Sequence, residues 1–300
     1  ELIDQDRVRR GRHKVGVGEI PSRSHDEVST RNQGWKLSVD WGITPRLSLN
    51  FSLPYLAREH HHIVNEEHGH SNHEEEEEKG EEREVERWNF SDLGDITTLV
   101  RYVILLPDIP ERPALSLGVG MKFPTGATRK HNLNGERAEA TLQPGSGSYD
   151  TILGLYYQQS LRAKTLSGEL AYLPLFASGT FRINGRGKED WRAGDEVQLH
   201  LGTSYTLSRK IELVAQVNAL FRDRIAPGRA LGLDERNSGG EWLYLSPGLR
   251  FHVSEGLSAY GYFQLPVYQR VNRIQNTSDY NILFGFSYRF GLGSLGRMFQ

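Results

Sequence analysis

The sequence predicts an all-β chain folded as a transmembrane, antiparallel, up-and-down β-barrel of about twelve strands, with short periplasmic turns and long extracellular loops. Three observations predict it. Apolar and polar residues alternate with period two over about nine to fifteen residues at a time. The connections between these segments alternate between short and long. The count of segments is even, which brings both chain ends to the periplasmic side.

Composition removes the helical alternative. Charged residues make up 25% of the chain and hydrophobic residues 37%. A spanning helix needs roughly 20 mostly apolar residues in a row, and the longest strongly apolar run is Tyr102 to Leu106. A barrel needs no such run, because only every second residue of a strand meets lipid.

The predicted strands cover 12–20, 33–43, 46–57, 93–104, 113–123, 148–160, 166–177, 194–207, 209–222, 241–253, 257–268 and 279–290. The last is the clearest: Tyr280, Ile282, Phe284, Phe286, Tyr288 and Phe290 form one face, and Asn281, Leu283, Gly285, Ser287 and Arg289 lie on the other, with Leu283 its only large apolar residue. The same zigzag puts Val197, Leu199 and Leu201 opposite Gln198, His200 and Gly202. Thr44-Pro45, Ser208, 162–165 and 254–256 are the short turns, and 107–112 is longer. Between them fall polar loops at 21–32, 58–92, 124–147, 178–193, 223–240 and 269–278. Rising strands end in an apolar-Pro pair, as in Leu53-Pro54 and Phe123-Pro124, and proline suits a strand end because it donates no ladder bond. Pro247 falls mid-strand, so a bulge is expected over Leu245–Gly248.

Residues 1–290 therefore form one barrel domain, with 58–92 a His/Glu-rich extracellular loop and 291–300 a C-terminal tail. Cysteine is absent, which removes disulfides and thiolate chemistry together. The chain starts at Glu1 without Met or an apolar leader, so a removed signal peptide or a trimmed chain is expected. Net charge is −2 and uneven: residues 58–87 hold twelve Glu against four Lys/Arg, leaving the rest mildly basic. No basic patch with interleaved aromatics points to nucleic acid. The expected partners are outer-membrane lipid and a small solute or metal ion, in a bacterial cell outer membrane.

Several short motifs carry a resemblance. Leu245-Ser246-Pro247-Gly248-Leu249, Gln264-Leu265-Pro266-Val267-Tyr268-Gln269 and Phe286-Ser287-Tyr288-Arg289-Phe290 resemble the C-terminal third of the meta-pathway phenol-degradation-like outer-membrane proteins. Lys122-Phe123-Pro124-Thr125-Gly126 and Leu142-Gln143-Pro144-Gly145-Ser146-Gly147 are similar to the middle of that family. The resemblance spans roughly 93–290. It implies a transmembrane barrel of transporter or porin type and says nothing of phenol as a substrate. The His/Glu insertion and the ten residues beyond Phe290 depart from the pattern.

Six of the eleven histidines, His60, His61, His62, His68, His70 and His73, lie in the first long hairpin loop, followed by Glu74–Glu78. Imidazole suits Zn, Cu and Ni, and carboxylates complete a shell. Without cysteine a rigid structural zinc site is not expected, so the pattern predicts weak, exchangeable, pH-dependent binding and no required cofactor. The other reading is a solvated polar loop of biased composition. Both stand on sequence alone.

By parity Asp95, Asp150, Glu196 and Asp279 face the lumen near the outer rim, with Lys122 among the lining residues. Arg101, Arg250, His252 and Arg289 face it near the periplasmic end. This predicts an acidic vestibule over a basic inner mouth, with ion preference set by charged rings. Inward tyrosines such as Tyr156, Tyr244, Tyr260 and Tyr262 would narrow the bore. A pore or transporter for small solutes or ions and a largely closed structural or partner-binding barrel are the two functional readings. An outer-membrane hydrolase would need an oriented Ser–His pair on the lipid side; His200 and His252 face inward, so no enzyme is expected.

Overall fold

The computed structural model describes residues 1–16, 26–64, 84–132, 134–164, 168, 170–230 and 235–290. Its strands are β1 (Leu2–Gln5), β2 (Arg7–Arg10), β3 (His13–Val15), β4 (Asp26–Gly42), β5 (Leu47–Val64), β6 (Glu84–Leu93), β7 (Thr97–Leu105) and β8 (Ala114–Lys122). They continue as β9 (Asp150–Lys164), β10 (Leu170–Ile183), β11 (Glu196–Thr206), β12 (Ile211–Arg222), β13 (Gly240–His252), β14 (Leu257–Val271), β15 (Ile274–Thr277) and β16 (Asn281–Tyr288). Among the described residues no helix is long and apolar enough to cross a membrane.

The strands pair antiparallel with their sequence neighbours from β4 round to β16. β6 and β7 are two stretches of one crossing, broken at residues 94–96: β6 pairs the outer half of β5 and β7 the inner half. β1 completes the ring, with Leu2 level with Gln33 of β4 on one side and Ile282 of β16 on the other. That makes twelve positions around the wall, the expected number.

Outward residues are the apolar half of each zigzag. Phe284 and Phe286 are about two-thirds or more exposed, and Leu199, Leu201, Leu245 and Leu249 are also bare. Unburied rows this large on a folded chain mark a surface whose solvent is hydrocarbon. The short turns have a common construction. Thr44, Ser208 and Ser254 each turn a side-chain hydroxyl onto following backbone N–H groups, at 3.0 Å to Leu47, 3.2 Å to Ile211 and 3.2 Å to Leu257. A Ser/Thr at the first turn position satisfies donors that the ladder leaves over.

Three expectations are corrected. The first wall strand is Leu2–Gln5 and not 12–20: residues 13–15 belong to a small outer sheet ordered β15-β2-β3, and residues 17–20 lie outside the described ones. Four residues are too few to show a period-two signal, which is why β1 was missed. Second, 58–92 is not a loop throughout, because β5 and β6 stay paired from Tyr55↔Leu93 up to Val64↔Glu84. Above the lipid both faces of a hairpin meet water, so hydropathy stops alternating while the ladder continues. Third, the bulge lies at Leu243/Tyr244 and not within Leu245–Gly248. Val267, beside Pro266 on β14, is the extra residue, whereas Pro247 keeps register with Ala215 and only forgoes pairing toward β14.

Candidate functional site

The site is the lumen and the cap of loops above it. Residues 123–149 leave β8, fold over the mouth and return to β9, and their two limbs are tied at Asp95. The Asp95 carboxylate accepts the Gly126 N–H and the Ser146 N–H, each at 2.9 Å, and the Ser146 hydroxyl at 2.8 Å. Lys122 stands between Asp95 and Asp150, with Nζ at 3.1 Å and 2.6 Å from their carboxylates. It also donates to Ser146 and, at 3.2 Å, to Ser148. All three charged groups are buried. A buried carboxylate persists as an ion only when paired and hydrogen-bonded, and the register Lys122↔Asp150 and Thr97↔Lys122 brings this about.

The cap has small apolar cores of its own. Trp88 and Phe90 of β6 pack on Ala138, and Trp191 of the 184–195 loop packs between Ala140 and Ala230. Arg58 fastens the 123–149 loop from β5, donating to the Thr141 carbonyl at 3.1 Å, and Arg137 pairs with Glu189.

Beneath the cap, two cavities lie one above the other against β5, β7, β8 and β10. The outer, of about 440 Å³, is lined by Lys36, Ser52, Pro54, Asp95, Thr97, Lys122, Arg182 and Trp191 with loop residues 140, 141 and 143–146. The inner, of about 430 Å³, includes Arg46, Ser48, Arg101, Ser116, Tyr156, Phe176 and Ser178. The opposite side of the lumen is filled by a polar ladder: His200 Nδ1 lies 2.7 Å from Asn218 Oδ1, and the Asn218 amide donates to Ser246, which has no solvent exposure, at 2.7 Å.

Aromatic rings on the inner face lie over glycines. A Cβ on Gly154 would stand 2.8 Å from the Tyr156 ring, and one on Gly202, Gly248 or Gly285 would strike Phe176, Tyr262 or Tyr260. Glycine in a strand permits this close approach. Tyr156, Tyr260 and Tyr262 therefore lie along the wall, so that they narrow the bore by a ring's thickness and do not reach across it.

The predicted site residues separate. Asp95 and Lys122 line the outer cavity and Arg101 the inner, over the Tyr156 ring at 5.6 Å. Asp150 is buried beneath Lys122. Glu196 is paired with Arg222 at 2.7 Å. Asp279, between β15 and β16, stands against the outer sheet with Lys14 at 2.7 Å and Arg7 at 3.2 Å, which hold its carboxyl below the usual range, the Lys14 hydrogen bond contributing most. Arg250 and His252 both turn to Glu212, at 3.0 and 3.6 Å. Arg289 is exposed just past β16. None of the four acids predicted for the vestibule stands alone: Asp95 and Asp150 share Lys122, Glu196 pairs with Arg222, and Asp279 pairs with Lys14 and Arg7. The cavity cations not foreseen are Lys36, on the polar parity of its strand, Arg46, in a turn, and Arg182, in a stretch expected to be loop.

The histidine cluster is divided as well. His60 is buried, with Nδ1 2.7 Å from Thr30 Oγ1 and its ring 5.8 Å from that of Trp88. His61, the next residue, is on the opposite face of β5 beside Glu59 at 3.5 Å. His68, His70 and His73 and the side chain of His62 lie outside the described residues. Among the described residues no three metal-ligating side chains converge.

A closed, lipid-faced, antiparallel ring with a capped lumen defines an outer-membrane β-barrel, and the chain resides in the bacterial outer membrane. It belongs to the family described as "Putative MetA-pathway of phenol degradation", whose model matches residues 71–290. The fold is shared with an outer membrane channel from Pseudomonas putida F1 at a TM-score of 0.57 and 13% identity, covering 96% of this chain and 90% of that one. A FadL homologue from Pseudomonas aeruginosa matches at 0.42 and 12% identity, covering 95% and 74%. Among curated proteins none matches the chain in sequence. Family and fold together make it an outer-membrane barrel of the architecture found in that Pseudomonas putida channel.

Proposed function

We propose that the chain is an outer-membrane channel for small solutes, and that its conduit favours solutes carrying negative charge. One observation carries this: the stacked cavities are lined by Lys36 and Arg182 above and by Arg46 and Arg101 below, while Asp95 and Asp150 share Lys122 and Glu196 pairs with Arg222. None of these four cations holds an ion pair among the described residues; Arg46 donates to the carbonyls of Val103 and Ile104, and Arg182 stands beside Glu196, which Arg222 already pairs. Asp40 faces the same lumen and accepts from Asn50 at 2.9 Å. Cations on low-dielectric walls raise the local concentration of anions.

The filled side of the lumen, with Ser246 fully enclosed, favours a second reading, a largely closed barrel. Planar-bilayer recording in a salt gradient separates the two. The expected result is small conductance with an anion-selective reversal potential, moved toward cation selectivity by Lys36→Glu with Arg182→Glu. Absence of conductance supports the closed barrel, and cation selectivity in the unaltered protein refutes the charge assignment.

A further inference from the structure

The outer sheet β15-β2-β3 carries more positive charge than its own folding uses. Lys14 and Arg7 are occupied by Asp279, and Arg7 is also 3.8 Å from Asp6. Arg270 lies 3.7 Å from Glu241. Arg10, Arg12 and Arg273 are exposed, and none has an acidic partner among the described residues. The two turns that carry them meet edge to edge: the Gly11 N–H donates to the Arg273 carbonyl at 2.8 Å, and the Val271 N–H donates to the Gly11 carbonyl at 3.0 Å. Arg9 fixes the first turn by donating to the Arg12 carbonyl at 2.9 Å.

Two further features set this tip apart from a solvated charged edge. Arg273 has φ +53°, a left-handed conformation that glycine or asparagine takes more cheaply. The backbone strain of that conformation is held by the turn's contact with Gly11. The tip also reaches down to the lipid face. The Arg12 guanidinium donates to the Tyr268 hydroxyl at 3.0 Å and lies 5.1 Å from that ring. Tyr268 ends the outward row of β14 above Phe263, Leu265 and Val267, all bare to lipid, and Phe263 stacks on Tyr280 at 5.4 Å. Arg12 thus stands directly over the hydrocarbon band, and the backbone contacts between the two turns bring Arg10 and Arg273 to the same tip.

We propose that Arg10, Arg12 and Arg273 form a seat for a phosphate carried by a glycolipid of the outer leaflet. Guanidinium groups present paired donors that match phosphate oxygens. A lipid source fits because the seat adjoins the acyl region: one molecule can place its phosphate on the tip and its chains along Leu265 and Val267. Glu241 is the acid in reach, and Arg270 and the Tyr268 hydroxyl, at 3.4 Å, already face it.

Native mass spectrometry of the purified barrel in detergent tests this with lipid A bearing two phosphates, lipid A stripped of phosphate, and inorganic phosphate as competitor. The diphosphorylated lipid is expected to remain bound at one copy per barrel, and the stripped lipid to be lost. Arg10→Ser, Arg12→Ser and Arg273→Asn together are expected to weaken retention by at least about tenfold. Asparagine suits the left-handed position, so the turn is kept, and retained heat-modifiable migration verifies the barrel. Equal retention of both lipids, or no effect of the triple substitution, overturns the proposal. Full displacement by millimolar inorganic phosphate assigns the seat to free phosphate and overturns the lipid source.

Discussion

Gly126 and Gly145 cross backbone against backbone in the cap: a Cβ on Gly145 would stand 2.5 Å from the carbonyl carbon and oxygen of Gly126. No side chain fits at that distance, and the obstructing atoms are main chain, which cannot swing aside. The crossing brings the two limbs of the 123–149 loop close enough for one carboxylate, Asp95, to accept from both. The short Pro-Thr-Gly and Pro-Gly-Ser-Gly motifs that carry the family resemblance are therefore parts of one clasp.

Gly145→Ala should open that clasp. Overpacking of this kind costs about 1–3 kcal/mol, which is concentrated in the loop because the wall pairing does not depend on it. The expected outcome is higher single-channel conductance and faster tryptic cutting after Arg129 and Lys130, with unchanged barrel migration on gels. Conductance equal to the unaltered protein would show that the loop does not cover the conduit.

The clasp also marks where sequence ceases to inform. The outward rows, such as Ile282, Phe284 and Phe286, could be read directly, because lipid imposes a single demand on every second residue. The inner face answers to partners across strands, and these depend on register. Lys122 lies 27 positions from Asp95 and 28 from Asp150, and only the pairing of β7, β8 and β9 brings the three together. Parity alone puts Asp95, Asp150 and Glu196 on the lumen and leaves open whether they pair there. Likewise His60 and His61 belong to one histidine cluster in sequence, whereas strand geometry sends them to opposite faces.

Asp279 supplies a pH prediction. Its carboxyl titrates below the ordinary value because Lys14 and Arg7 favour the charged form. A depressed native pKa means that the ion-pair contribution is full above the unfolded value, about 3.9, and is lost as pH falls through the native one. Partial exposure keeps the effect modest. In hydrogen exchange of residues 7–10 and 274–277, the unaltered protein should be better protected than Asp279→Asn at neutral pH, and the gap should close only below about pH 4. A gap that closes by pH 6 would assign the anchor to another group.

His60 and metal can be separated experimentally. With its ring against Trp88 and Nδ1 on Thr30, His60→Ala should destabilise the outer hairpin by about 1–3 kcal/mol, through a lost buried hydrogen bond and a void. Tryptophan emission should shift to the red. Zinc titration of the same variant should match the unaltered protein in stoichiometry, since His60 is already committed to structure. If the substitution abolishes zinc binding, His60 is a ligand through Nε2, with the Nδ1 bond to Thr30 orienting its ring.

The sharpest test of the inner cavity joins Gly154 and Tyr156. The Tyr156 ring lies over Gly154 and Gly118 and also lines the 430 Å³ cavity beside Arg101. The nearest atoms a methyl group at residue 154 meets are the Tyr156 ring edge and hydroxyl, the far end of a side chain that can rotate, so Gly154→Ala should fold normally and tip the ring into the cavity. Conductance should fall. Tyr156→Ala alone should raise it, because the ring and its hold on Arg101 are both removed. The double variant should match Tyr156→Ala, because without the ring the added methyl has nothing to displace. Such non-additivity between touching residues is the signature of a direct interaction. Independent, additive effects would mean that ions pass elsewhere and that the cavity beside Arg101 is not on their route.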